Sequence, residues 1–206
     1  ISGNKWFKLQ FYLQQAMEHQ KSLLTFGGAW SNHIIATAAA CRLYGIPCTG
    51  LIRGEEPAFP SLVLTTAKEL GMKLFFLSRS DYAGGRIPPA LNHPDQLIIP
   101  AGGYGFTGAA GAATILNYCR DKTTYSHICC AAGTGTMMAG LLSAKLKQQE
   151  VTGISVMKHN LTLENEMTRL LPACPQEYCL HHDYHFGGYA KHTPGLLQFM
   201  NDWYRQ

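Results

Sequence analysis

Short apolar runs alternate with helical stretches along the whole chain, and this rhythm restricts it to a layered α/β architecture. Strands are expected at 23–26, 48–53, 73–77, 97–99, 126–132 and 151–157. Helices are expected at 5–20, 32–44, 62–70, 108–120, 137–147, 163–171 and 193–204. Connections of this kind are right-handed crossovers, which give parallel sheets with covered faces. The stretch 32–44 is Ala-rich and nearly free of charge, so it is expected to be buried. The Gly- and Pro-rich stretch 84–94 reads as an exposed loop. A division into two open parallel-sheet αβα domains, 1–116 and 117–206, is expected where Gly/Ala-rich sequence near Leu116 gives way to a fresh strand-helix unit.

Composition narrows the function classes. Of 206 residues, 46% are hydrophobic and 15% charged, which describes a folded core. The net charge of +4 comes from scattered basic residues, so neither a nucleic-acid nor a membrane-surface role is supported. No stretch approaches the roughly 18 apolar residues of a membrane span. The seven cysteines are odd in number and include no C-x-x-C pair. They read as reduced thiols of a cytoplasmic protein, with Cys129 and Cys130 packed in the core. The chain opens at Ile1 in the middle of a motif and is expected to be a piece of a longer protein.

Five segments carry candidate chemistry. Lys5 follows Ser2-Gly3-Asn4 and opens a helix, with Lys8 three residues on and on the same face. Two amines at a helix start favour an anion, and their repulsion is expected to lower one pKa, leaving an amine able to form a Schiff base. The same residues also read as an ordinary capped surface helix. Gly27 to His33 follows a strand, where Ser31 or Asn32 caps the next helix and an anion is attracted to its N-terminus. In an open α/β sheet ligands bind at such turns. Ala131 to Met137 contains Gly133-Thr134-Gly135-Thr136, whose backbone N–H groups and hydroxyls suit a monophosphate. It is neither a Walker loop nor a Rossmann fingerprint, because Met138 stands where a third glycine belongs. The run from Pro100 to Gly108 reads as a tight wrapping loop. The segment from His181 to Tyr189 holds three histidines and an aspartate within five residues. Its spacing matches no standard metal set, and no metal is expected.

These motifs, in this order, resemble the pyridoxal 5′-phosphate (PLP)-dependent family of D-cysteine desulfhydrase and 1-aminocyclopropane-1-carboxylate (ACC) deaminase. The resemblance runs from Ile1 to about Gln206. It implies the tryptophan synthase β-like fold, here incomplete at both ends: a smaller domain with the lysine and Ser-Asn-His turn, and part of a larger domain with the Gly-Thr loop. It further implies that Lys5 holds PLP as a Schiff base and moves protons. Asn4, Lys8 and Gly133, Thr134, Gly135 and Thr136 would hold the phosphate, and Asn32 the cofactor's 3-hydroxyl. Ser31, Asn32, His33 and Tyr104 would meet the substrate, with Ser31 and His33 towards its carboxylate or assisting proton transfer; Ser31 and Tyr189, the latter near the substrate, would have a catalytic part. The implied reaction is desulfhydration of D-cysteine to pyruvate, sulfide and ammonia. The alternatives are ACC deamination or a non-catalytic PLP-binding remnant; family deaminases tend to carry Gln where this chain has His33. A cytoplasmic homodimer acting on a small amino acid is expected.

Overall fold

The computed structural model describes residues 3–171, 178–188 and 191–206, and so leaves Tyr189 outside the described residues. The chain divides into two compact units between Ala112 and Ala113.

The first unit contains α1 (Asn4–Glu18), β1 (Ser22–Gly27), α2 (Asn32–Tyr44), β2 (Cys48–Arg53), α3 (Leu62–Glu69), β3 (Lys73–Leu77), α4 (Arg79–Ala83) and β4 (Gln96–Ile99). Helix α5 (Phe106–Ala113) closes it. Its sheet runs β3-β2-β1-β4, with all strands parallel. The central strands β1 and β2 are buried almost end to end, as a doubly covered parallel sheet requires. Leu23, Cys48, Ile52 and Ile99 face a core built with Leu9 and Leu13 of α1, Ile34 and Ala38 of α2 and Leu64 of α3. Alternate residues Leu24, Phe26 and Leu51 face the other way. They are covered by Leu77 together with Tyr82, Ile87 and Leu91. The stretch 84–94 is therefore not wholly an exposed loop. Two of its apolar side chains stand in for a helix layer, which the loop-like composition conceals.

The second unit contains β5 (His127–Ala132), α6 (Thr136–Ala144), β6 (Glu150–Ser155), α7 (Leu163–Thr168), β7 (Tyr178–His181) and α8 (Pro194–Tyr204). Its parallel sheet runs β5-β6-β7. One face carries Cys130, Ala132, Val151 and Ser155, all buried, and Gly153 lies against the sulfur of Met138 on α6. On the opposite face His127, Cys129 and Ala131 of β5 and Cys179 and His181 of β7 are exposed. The expectation of covered faces thus fails for this sheet. Cys129 is exposed and only Cys130 is in the core, because neighbours on a strand point to opposite faces.

Other departures are local. The helix expected at 108–120 ends at Ala113 and continues as a 3-10 turn over Thr114–Tyr118. Strand β7 and the short α4 have no clear apolar period, so sequence reading missed them. Gly111 of α5 packs against the carbonyl of Phe7 on α1, where a side chain would collide with backbone. Among the described residues no helix is long and apolar enough to cross a membrane.

Candidate active site

The site in the first unit starts at α1. Gly3 stands at the N-cap position, with φ 72°, and no side chain caps the helix there. Asn4 is the first helical residue, and its Oδ1 accepts from Lys5 Nζ at 2.9 Å. Burial holds the Lys5 amine below the usual lysine range. The direction matches expectation, but desolvation is the cause and not repulsion by Lys8. Lys8 lies one turn further on the same face and is only 4% exposed. Its Nζ donates to the Gly102 carbonyl at 3.2 Å. Gly102 and Gly103 belong to a 3-10 turn (Ala101–Gly103) in which both have positive φ, 66° and 70°. Tyr104 follows, and its carbonyl accepts from the Tyr12 hydroxyl at 3.4 Å.

The turn between β1 and α2 brings in the second group. The Ser31 side chain caps α2, its Oγ accepting from Ile34 N at 3.4 Å. Asn32 is exposed at the first helical position, and Trp30 is 60% exposed. His33 is 2% exposed. Its Nε2 lies 2.8 Å from Thr25 Oγ1, which itself donates to the Ile99 carbonyl at 2.9 Å. Burial, then the positive charges of Lys8 and Lys5, push the His33 pKa down to about 3, so the ring is neutral at physiological pH. A Cβ on Gly103 would lie 3.3 Å from Lys8 Cβ and 3.6 Å from His33 Cε1, so α1, α2 and the 101–103 turn converge here.

The second unit carries the Gly-Thr loop between β5 and α6. Gly135 is the N-cap residue, left-handed at φ 76°, and no side chain caps α6. A Cβ on Gly135 would press on the backbone of Met167 in α7 at 3.2 Å. Thr134 Oγ1 and Thr136 Oγ1 are 3.0 Å apart. Asn160 Nδ2 donates to the Gly133 carbonyl at 2.9 Å, turning that oxygen to a protein partner. Ser155, paired in register with Ala132 just before the loop, has a buried Oγ with no hydrogen-bond partner among the described residues.

Lys5, Lys8 and His33 are thus assembled within one unit and Gly133 to Thr136 within the other. Strand β7 stops at His181, so His181, Asp183 and His185 do not share a strand face. Among the described residues no group of three His, Cys, Asp or Glu side chains could hold a metal. Thr25, Asn160 and Ser155 were not singled out by sequence reading. A polar residue inside the buried apolar strand β1 is the signal that marks Thr25; Ser155, at the end of the half-buried β6, and Asn160 give none.

The architecture is that of the tryptophan synthase β-like fold of PLP enzymes. A crystal structure described as an ACC deaminase homologue superposes with a TM-score of 0.72 at 24% identity, covering 98% of this chain and 67% of that one. A PLP-dependent aspartate racemase matches with a TM-score of 0.62 at 15% identity, over 84% of this chain and 52% of that one. In sequence, the resemblance to the D-cysteine desulfhydrase and ACC deaminase family holds. The chain is 28% identical over 178 residues to a D-cysteine desulfhydrase of Klebsiella pneumoniae, covering 77% of this chain and 54% of that protein. It is 31% identical over 177 residues to a putative ACC deaminase of Thermotoga maritima, covering 77% and 55%. The chain therefore spans about half the length of the curated relatives it matches. No family model matches it.

Proposed function

We propose that this chain is part of a PLP-dependent lyase or deaminase acting on a small amino acid, with D-cysteine the favoured substrate and pyruvate, sulfide and ammonia the products. The observation that carries the reading is Lys5: a half-buried amine of lowered pKa at the start of α1, in the same unit as the Ser31-Asn32-His33 turn. A lysine that must attack a carbonyl needs its neutral form, and burial shifts the amine towards it.

The residues present suit the cofactor. A Cβ at Gly133 or at Gly28 would meet nothing within 4 Å, so each turn leaves open space at its backbone. The Gly-Thr loop combines an uncapped helix start with two hydroxyls, a donor set suited to a phosphate. Lys5 would hold the aldehyde carbon, Gly133 to Thr136 and Asn4 the phosphate, and Asn32 the ring hydroxyl. Lys8, whose Nζ gives one of its three hydrogens to the Gly102 carbonyl, would meet the phosphate with another. When bound, PLP supplies the electron sink that stabilises a carbanion at the substrate Cα. The chain's own part is to release Lys5 Nζ as a base for the Cα proton, and to offer Ser31 to the substrate carboxylate. Tyr104 and Tyr189 are proposed to border the substrate. A homodimer in the cytoplasm belongs to the same proposal.

ACC deamination is the second reading, favoured by the likeness to an ACC deaminase homologue over 98% of the chain. One series of experiments tests these readings: absorption spectra with PLP before and after borohydride, peptide mapping of the adduct, then turnover of D-cysteine and of ACC. A pyridoxyl group on Lys5, absent in Lys5→Ala, is expected, with sulfide released from D-cysteine. An adduct mapping elsewhere overturns the role of Lys5. An adduct on Lys5 with 2-oxobutanoate from ACC and no sulfide selects the second reading. Cofactor binding with neither product marks a non-catalytic remnant.

A further inference from the structure

The proton inventory around His33 fixes more than its charge. Thr25 has one hydroxyl hydrogen, and the Ile99 carbonyl can only accept, so that hydrogen lies in the 2.9 Å bond to Ile99. Thr25 Oγ1 can then meet His33 Nε2, 2.8 Å away, only as an acceptor, and Nε2 must carry the ring hydrogen. A neutral imidazole has one such hydrogen, so Nδ1 holds a lone pair. That atom is buried and has no hydrogen-bond partner among the described residues. All three members of the chain are fixed by the fold. Thr25 is fully buried in β1, its Cα register partner on β4 is Ile99, and His33 sits in the first turn of α2.

We infer that Thr25 is a positioning residue that locks His33 as the Nε2–H tautomer, so that Nδ1 of the buried ring carries a lone pair and not an N–H. Whatever meets Nδ1 must therefore bring a hydrogen, as an amine or hydroxyl does. A carboxylate oxygen, which only accepts, is repelled there. Of the two expectations for His33, contact with the substrate carboxylate and help in proton transfer, a bare Nδ1 suits the second. The charged groups acting on the ring are Lys8 and Lys5 of α1; other groups near His33 include Thr25 of β1, Gly103 of the 101–103 turn and Thr37 of α2, whose hydroxyl donates to the His33 carbonyl at 2.8 Å. Both charges oppose a second ring proton.

The inference concerns atoms of this chain alone and stands or falls separately from the PLP reading, because it is tested on the protein with nothing added. Long-range proton–nitrogen NMR on labelled protein distinguishes a ring nitrogen that bears hydrogen from one that does not. His33 is assigned as the signal lost in His33→Gln. From pH 5 to 8 His33 is expected to show one bare nitrogen at Nδ1 and one hydrogen-bearing nitrogen at Nε2, without titrating. Thr25→Val should lose this fixed pattern and Thr25→Ser should keep it. If Thr25→Val fails to fold, the native spectrum with the serine variant still decides. Hydrogen on Nδ1 in the native protein, titration of His33 within that range, or an unchanged pattern in folded Thr25→Val each overturns the inference.

Discussion

The two strand-to-helix turns of this chain look alike in sequence and are built in opposite ways. The turn after β1 uses its polar side chains internally: Ser31 caps α2, and His33 is buried on Thr25. The turn after β5 puts a glycine at the cap, so no side chain covers the start of α6, and its outside support comes from Asn160 and the Met167 backbone. A turn closed by side chains can position chemistry, whereas one closed by glycine keeps its backbone donors available for an anion. The comparison teaches that glycine richness alone does not mark a phosphate loop; what matters is whether a side chain has already taken the helix N-terminus.

The largest effect expected from this contrast is acid sensitivity centred on the first turn. The His33 pKa is lowered from 6.5 to about 3, so the unfolded chain takes up a proton over that interval while the folded chain does not. Stability is then fully present above pH 6.5 and falls as the pH drops towards 3, by on the order of 4 kcal/mol. Denaturant unfolding across this range should show the slope, and His33→Gln should flatten it. An equally steep slope in His33→Gln would shift the cause to other groups and erase the difference between the turns.

In the second turn, Gly135→Ala is expected to cost about 2 kcal/mol, because the residue is left-handed and a Cβ there meets Met167. The same change should weaken binding of PLP more than that of pyridoxal, which lacks the phosphate. Equal losses for both would remove the loop from the phosphate site. Asn160→Ala frees the Gly133 carbonyl and should cost about 1 kcal/mol, again with a preferential loss of PLP over pyridoxal. The smallest effect is expected at the first turn's cap. Ser31→Ala removes a long hydrogen bond and should lower stability by about 0.5 kcal/mol, measured by thermal unfolding, while a larger loss of turnover would support its proposed place at the substrate.

Much of the fold was legible because its determinants are local. Helix α2 and strands β2 and β3 fall where apolar period and flanking glycine or proline put them. The missed elements have polar or very short patterns: β7 is a four-residue strand ending in histidine, and α4 spans five residues. The exposure of Cys129 was not legible either, since a strand's alternation says that two neighbours part ways but not which face a helix covers. At the candidate site, Lys5, Ser31 and the Gly-Thr loop could be picked out from turn chemistry. Asn160 and Ser155 could not, and Thr25 only as a polar residue in a buried strand, because each matters through a partner distant in sequence or through the absence of one.

The sequence by itself determined the alternation of strands and helices, the turns at which chemistry is placed, and the order of motifs that resembles the D-cysteine desulfhydrase and ACC deaminase family. These follow from periodicity and from backbone preferences of glycine, serine and asparagine, which act over a few residues. Tertiary structure decided what those residues are in physical terms. It half-buried Lys5 and so lowered its pKa, tied Lys8 to Gly102, and joined Thr25, His33 and Ile99 into one hydrogen-bonded chain. Desolvation and hydrogen-bond direction depend on neighbours brought from elsewhere in the chain, and only the packed fold supplies them.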